Sequence, residues 1–184
     1  MEVNQLLDRI SDGDSEAYNE LYPIVYKRLK KVAQSQLNIE YSAHTLCRTE
    51  LVHEFYEKMV GQNSVDYHNT GHFYSIAARS MRQILVDYAR KKKAIKWGGE
   101  LSRIDLDIQN LSTDVHSENI LALNELLTNL NEIDERLCTV VELRFFVGLS
   151  IEETANILNI STATVNRDWL KARVWLYQQF NKEI

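Results

Sequence analysis

The chain has 184 residues, of which 45% are hydrophobic and 26% charged, and its formal net charge is −5 at pH 7. One proline and six glycines leave few turn residues for a many-stranded β fold. No apolar run approaches the ~18 residues of a membrane span, and the acidic, amphipathic N-terminus is unlike a secretion signal. Two distant cysteines indicate neither a disulfide framework nor a cysteine metal site. We therefore expect an all-α cytoplasmic protein.

Charge is distributed unevenly along the chain. Residues 1–71 carry a net charge of −4, residues 72–103 carry +6, residues 104–161 carry −9, and residues 162–184 carry +2. A basic patch attracts polyanions through its local field even when the whole protein is acidic. The two basic segments are therefore candidates for nucleic-acid binding.

The first two helical blocks have apolar residues at helical spacing. The first covers residues 3–37 and is broken at SDGDSE, where Asp14 or Ser15 is expected to cap the next helix. The second covers residues 48–60, RTELVHEFYEKMV, with Thr49 as its expected N-cap. Leu51, Phe55 and Met59 form one stripe that we expect to be buried.

The third block, residues 72–96, ends within the basic stretch DYARKKKAIKWGG, which covers residues 87–99. A run of cations is usually a solvated surface, and cations at a helix C-terminus also complement the helix dipole. Here, however, aromatic residues accompany them. Cations that hold phosphates beside rings that stack on unpaired bases are typical of single-strand capture, and this is the interpretation we favour.

After a polar, acidic linker at residues 98–117, the last block is helical almost throughout. Within GLSIEETANILNISTATVNRDWLKAR, Ser150 and Glu153 form a capping box, Asn159 and Ile160 form a turn, and Ser161 caps the next helix. Ala155 is the small residue expected at the close helix crossing. This pattern predicts a helix-turn-helix.

Over nearly its whole length, the chain resembles the extracytoplasmic-function (ECF) sigma factors. These are the bacterial subunits that direct RNA polymerase to promoters. The C-terminal motif resembles the helix-turn-helix that reads the minus-thirty-five promoter element. TELVHEFYEKM resembles the helix that docks on the clamp helices of the polymerase largest subunit, and FYSIAARSMRQILVDYARKKK resembles the helices that recognise and open the minus-ten element. The ILVDYAR and TVNRDW motifs indicate one subgroup of the family.

The resemblance implies two helical domains, at residues 1–97 and 118–184, joined by the linker at 98–117. The partners it implies are core RNA polymerase and promoter DNA, with an anti-sigma factor as a further candidate. Three sets of residues follow. The expected upstream-element contacts are Ser161, Thr162, Thr164, Asn166, Arg167, Lys171 and Arg173. The expected downstream-element and melting contacts are Phe73, Tyr74, Arg79, Arg82, Gln83, Tyr88, Arg90, Lys91, Lys92, Lys93, Lys96 and Trp97. The expected polymerase contacts are Glu50, Val52, His53, Glu54, Tyr56, Glu57 and Lys58.

Two other functions remain as alternatives. A stand-alone helix-turn-helix regulator would leave the acidic second block and the basic third block unexplained. A sigma-like decoy, binding polymerase or an anti-sigma factor without reading DNA, draws support from the overall acidity and from Asp168, which stands where many family members have arginine. His68 and His72 have no obvious third metal ligand, and no catalytic pattern is present. We expect no metal, no cofactor and no enzymatic activity.

Overall fold

The computed structural model describes residues 2–37, 47–61, 66–98 and 108–181, and within them the side chains of all but residues 92–98 and 108–118. Every regular element in these ranges is helical, which confirms the predicted all-α fold class. A π-helical turn spans Glu142–Phe146. The helices are α1 (Glu2–Ser11), α2 (Ala17–Leu37), α3 (Arg48–Gly61), α4 (Thr70–Gly98), α5 (Ile108–Ile133), α6 (Glu135–Val141), α7 (Ile151–Leu158) and α8 (Thr162–Phe180).

Helices α1 to α4 pack against one another around an apolar core. The stripe predicted for the second block is confirmed, because Leu51, Phe55 and Met59 are all at most 3% exposed. The turn between α1 and α2 is held by Asp14, whose carboxylate accepts a hydrogen bond from the backbone N–H of Glu16 (3.1 Å). Gly13 precedes it with φ +95°, a conformation that glycine adopts without a steric penalty.

The start of α3 differs from the prediction. Thr49 was expected to cap this helix, but the helix already begins at Arg48. The Glu50 carboxylate accepts a hydrogen bond from the backbone N–H of Cys47 (2.6 Å). This bond lowers the pKa of Glu50. The acidic side chain, rather than the threonine hydroxyl, therefore satisfies a free donor at the helix N-terminus.

The predicted linker is partly helical. Gly98 is the last residue of α4, and α5 begins at Ile108, so residues 108–117 lie in a helix. Residues 99–107 lie outside the described part of the chain. The sequence does carry a signal for this helix, because Ile108, Leu111 and Val115 recur at intervals of three and four. The polar residues between them gave the stretch the composition of a linker.

The N-terminal and C-terminal parts of the chain share one hydrophobic core. Helix α4 packs against α5, α7 and the π-helical turn, and α2 also contacts that turn. Ile120 and Leu127 of α5 and Phe146 of the turn are buried in the same cluster as Phe55 and Leu85. Helix α4, the predicted DNA-melting element, is therefore covered along one face by the C-terminal part of the chain.

The start of α7 carries the predicted capping box. The Ser150 hydroxyl accepts a hydrogen bond from the backbone N–H of Glu153 (3.1 Å), and the Glu153 carboxylate accepts one from the backbone N–H of Ser150 (2.7 Å). The second bond is the main reason why the pKa of Glu153 is lowered. Two free donors of the helix terminus are thus satisfied by one pair of residues.

We expect Ser150→Ala to lower the free energy of unfolding by about 1 kcal/mol, because it removes the hydroxyl that accepts the helix-start hydrogen bond. Urea unfolding followed by circular dichroism measures this change. Thr162→Ala removes an exposed hydroxyl from the first turn of α8 and should stay within about 0.5 kcal/mol of the parent. Equal losses in the two variants would contradict the capping role of Ser150.

Candidate nucleic-acid and polymerase interfaces

Helices α7 and α8 form the predicted helix-turn-helix. Asn159 turns the chain between them in the left-handed conformation, with φ +52°. Ala155 and Val165 are buried with Val140 in a small core of their own, so the two helices cross closely at the alanine. The Ser161 hydroxyl caps α8 by accepting a hydrogen bond from the backbone N–H of Thr164 (3.1 Å). These contacts fix the direction in which α8 leaves the turn.

The outer face of α8 carries most of the predicted upstream-element contacts. Thr164 is half-buried, and its hydroxyl bonds to that of Ser161 (2.9 Å). The Arg173 guanidinium lies 5.9 Å from the centre of the Trp169 ring, which supports it on the helix surface. The exposed residues of the predicted set are Ser161, Thr162, Asn166, Arg167, Lys171 and Arg173. Hydroxyl, amide and guanidinium groups on one open helix face are suited to reading base edges and holding phosphates.

Asp168 points away from this face. Its side chain is fully buried, and one carboxylate oxygen lies 2.7 Å from Arg136 Nε in α6. The other oxygen lies 3.6 Å from Arg167 Nε. The acidic residue that departs from the family pattern therefore braces α8 against α6 instead of repelling DNA. This removes a main argument for a sigma-like decoy.

The predicted DNA-melting set on α4 is divided between the core and the surface. Phe73 is fully buried, with its ring 6.3 Å from that of Phe55 and 5.6 Å from that of Tyr67. Tyr74 is also buried. The prediction that both rings are open to unpaired bases is therefore wrong for this structure, because both rings are packed in the apolar core.

Other members of the α4 set make polar contacts. Gln83 donates a hydrogen bond to Asp87 (3.0 Å), and Tyr88 donates one to Glu54 of α3 (2.8 Å). The bond to Glu54 raises the pKa of Tyr88. Arg82 was expected to face DNA but is only 5% exposed, because it is paired with an acidic residue of the C-terminal part.

Among the described side chains of the predicted DNA-melting set, those at the basic end of α4 are exposed to solvent. Arg90 and Lys91 are both exposed, and the ammonium group of Lys91 lies 6.0 Å from the centre of the Tyr88 ring. The predictions for Lys92, Lys93, Lys96 and Trp97 concern side chains outside the described part of the chain.

The predicted polymerase set lies on α3. Glu50, His53, Glu57 and Lys58 are exposed, whereas Glu54 and Tyr56 are half-buried. Val52 was expected at the edge of this face but is completely buried, because its side chain enters the core beside Leu51. The accessible part of the set therefore consists of Glu50, His53, Glu57 and Lys58.

Two features beside this face were missed by the sequence analysis. Tyr22 of α2 packs its ring 4.5 Å from that of Tyr56 and 5.2 Å from that of Tyr26, which extends the α3 face with aromatic surface. The other feature is an open concavity of about 380 Å³ in which four cations converge. Its lining residues are Lys27, Lys30, Lys31, Gln34 and Arg48. The spacing of tyrosines and lysines by three and four along α2 is the sequence signal that identifies both features.

Among the described residues, no group of three histidine, cysteine, aspartate or glutamate side chains is arranged to hold a metal ion. None of the described helices combines the length and apolar character needed to cross a bilayer.

The model of the ECF sigma factor family matches residues 1–182 of the chain. The chain belongs to the ECF sigma factor family. Comparison with curated proteins and with solved structures gave no match. Members of this family are DNA-binding transcription initiation factors and not enzymes. This ECF sigma factor therefore binds core RNA polymerase and promoter DNA and directs transcription initiation.

The contacts of α8 in this ECF sigma factor predict that one arginine variant loses stability and another loses DNA binding. Arg136→Ala leaves the buried Asp168 without its closest partner and should lower the free energy of unfolding by about 2 kcal/mol, less than for a fully buried pair because Arg136 is half-exposed. Arg167→Ala removes an exposed cation and should weaken binding to duplex promoter DNA while changing stability by about 0.5 kcal/mol or less.

Urea unfolding and titration of a duplex promoter fragment measure the two effects. The assignment is contradicted if Arg136→Ala leaves stability unchanged, or if Arg167→Ala binds DNA as tightly as the parent.

Proposed function

We propose that this ECF sigma factor divides its task among three surfaces. The exposed face of α8 reads the duplex upstream element. The basic end of α4 holds the downstream strand as it separates. The exposed face of α3 docks on the clamp helices of the polymerase largest subunit in the cytoplasm. An anti-sigma factor is a further candidate partner.

The observation that carries this proposal is the contrast between the faces. The open face of α8 offers hydroxyls, an amide and cations around Arg167, and the end of α4 offers Arg90 and Lys91. The face of α3 instead offers Glu50 and Glu57 next to Lys58, and the two carboxylates would repel a phosphate backbone. Opposite charges on separate helices suit a protein that holds DNA on one side and another protein on a different side.

The proposed division into domains follows the division of the three surfaces. Residues 1–97 would carry the polymerase and downstream surfaces, residues 118–184 the upstream reader, and residues 98–117 the connection between them. The two promoter elements lie apart on DNA, and readers carried on two units can reach both.

A pair of charge variants tests this division. Replacing residues 90–93 by glutamine removes four cations, and we expect it to impair open-complex formation while polymerase affinity is retained. Glu57→Lys reverses one charge on the α3 face, and we expect it to weaken polymerase binding while the helix stays intact. Size-exclusion binding to core RNA polymerase from the same bacterium and permanganate footprinting of the promoter separate the two steps.

Each variant serves as the control for the other. The proposal fails if both variants lose polymerase binding to the same extent, or if replacement of residues 90–93 leaves promoter opening unchanged.

A further inference from the structure

One carboxylate oxygen of Asp168 is left unused by the packing of the helices. Asp168 Oδ2 accepts a hydrogen bond from Arg136 Nε of α6 (2.7 Å). Asp168 Oδ1 is buried and has no hydrogen-bond partner among the described residues. A buried acceptor without a donor costs free energy, and the cost is larger for a charged group. This oxygen is therefore ready to accept a hydrogen bond from a donor that reaches it.

A donor stands close to this oxygen on the same helix. Arg167 Nε lies 3.6 Å from Asp168 Oδ1, which is just beyond hydrogen-bonding distance. Successive residues of a helix project about 100° apart, so the two side chains approach only because the longer one bends toward the other. The Arg167 side chain is nevertheless 60% exposed, whereas that of Asp168 is not exposed at all. Arg167 thus turns its Nε toward a buried carboxylate while most of its side chain stays in solvent.

Arg167 lies in the part of α8 that reads bases in a helix-turn-helix. It belongs to the second turn of the helix, which begins at Thr162, and the N-terminal residues of a recognition helix contact the base edges. The other predicted cations, Lys171 and Arg173, lie further along, and neither is paired with a carboxylate among the described side chains. Asp168 therefore supports the cation of the predicted set that is closest to the start of the helix.

The approach of Nε to Asp168 leaves the far end of the guanidinium available for a base. Arginine has one N–H on Nε and two on each terminal nitrogen, all in one plane. With Nε directed at a carboxylate, the two terminal nitrogens present a pair of parallel donors. Guanine offers two acceptors, O6 and N7, on its major-groove edge, whereas adenine offers N7 beside an amino group. A fork held in this orientation fits guanine, but on adenine one of its donors meets another donor.

We propose that Asp168 is a positioning residue for promoter recognition, which holds Arg167 through Nε so that the terminal nitrogens donate to O6 and N7 of one guanine in the upstream element. This inference rests on the proposed role of α8 as the upstream reader. It adds to that role the base that is read and the residue that directs the reading. Asp168 has two tasks in this account, because Oδ2 fixes α8 to α6 and Oδ1 directs Arg167.

The support at Nε decides between two uses of an exposed arginine. A freely moving arginine binds phosphate with the same fork of donors, and a phosphate contact carries no sequence information. Attachment of Nε to the helix shortens the reach of the guanidinium, so the bases that face the helix are closer to it than the phosphates at the groove edges. It also lowers the conformational entropy that the side chain loses on binding. The buried carboxylate thereby makes the cation selective for a base.

The first test locates the guanine. The sigma factor, bound to core RNA polymerase from the same bacterium, selects duplexes from a library of one promoter whose upstream element is randomised. We expect the parent to enrich guanine at one position. Arg167→Lys keeps the charge but lacks both Nε–H and the fork, and we expect that enrichment to fall about tenfold. Lys171→Gln is the control, because loss of a phosphate contact weakens binding to all sequences alike.

The second test removes the N7 acceptor without changing the protein. 7-Deazaguanine forms the same base pair as guanine but has a carbon in place of N7. At the selected position, we expect the parent holoenzyme to bind the 7-deazaguanine promoter about tenfold more weakly than the guanine promoter, because a charge-assisted hydrogen bond is lost. Competition binding with the two promoters measures this ratio of affinities.

The third test separates positioning from stability. Arg136→Met/Asp168→Leu replaces the buried ion pair by apolar side chains, which removes both charges together and keeps the packing. Arg136→Met/Asp168→Asn is the matched variant, because it also lacks the ion pair but keeps an oxygen that accepts from Arg167. Urea unfolding checks that both variants are folded, and a ratio of two affinities for one protein is insensitive to the amount of folded protein. We expect the ratio to fall to about one in the leucine variant and to stay higher in the asparagine variant.

The outcomes distinguish this inference from the proposed function. The positioning role of Asp168 is overturned by the absence of a guanine preference, by equal affinity of the parent for the two promoters, or by equal ratios in the leucine and asparagine variants. In each of these cases, weaker binding of Lys171→Gln to all sequences shows that the face of α8 still holds upstream DNA. If Lys171→Gln and Arg167→Lys both bind as the parent does, the proposed role of α8 fails as well.

Discussion

The contact between Arg82 and Glu142 is the constraint on which the rest of the arrangement depends. It joins the predicted melting helix to the C-terminal part of the chain inside a shared core. In the same arrangement, α5 and the π-helical turn lie along α4, and α7 lies against Gly71. Two arginines of α4 that were predicted to contact DNA, Arg79 and Arg82, thus face an acidic residue of the same chain.

The local features of the helix-turn-helix could be predicted from the sequence. The capping box at Ser150 and Glu153, the turn at Asn159 and the cap at Ser161 all lie where the sequence placed them. These features depend on residues within four positions of one another, so short-range hydrogen bonding determines them. Helical periodicity in turn predicted the outer face of α8, and most of the residues predicted there are exposed.

Contacts between distant segments could not be read from local patterns. Asp168 looks like a departure from a basic face, and only the position of Arg136 in α6 shows that it is a structural acid. Phe73 and Val52 were assigned to binding surfaces, although packing of the four N-terminal helices buries them. Arg82 belongs to a basic block, but its partner lies 60 positions further along the chain. Helical periodicity indicates which residues share a face, but it does not indicate what covers that face.

The central claim is that the two parts of this sigma factor are packed together when it is free and separate on promoter-bound polymerase. Spin labels at Asp8→Cys and Gln178→Cys, in a Cys47→Ser background, lie at exposed positions outside the proposed binding surfaces. Pulsed electron paramagnetic resonance should give one narrow distance distribution in the free protein and a longer distance in the complex with core polymerase and promoter. The same distance in both states would contradict the account.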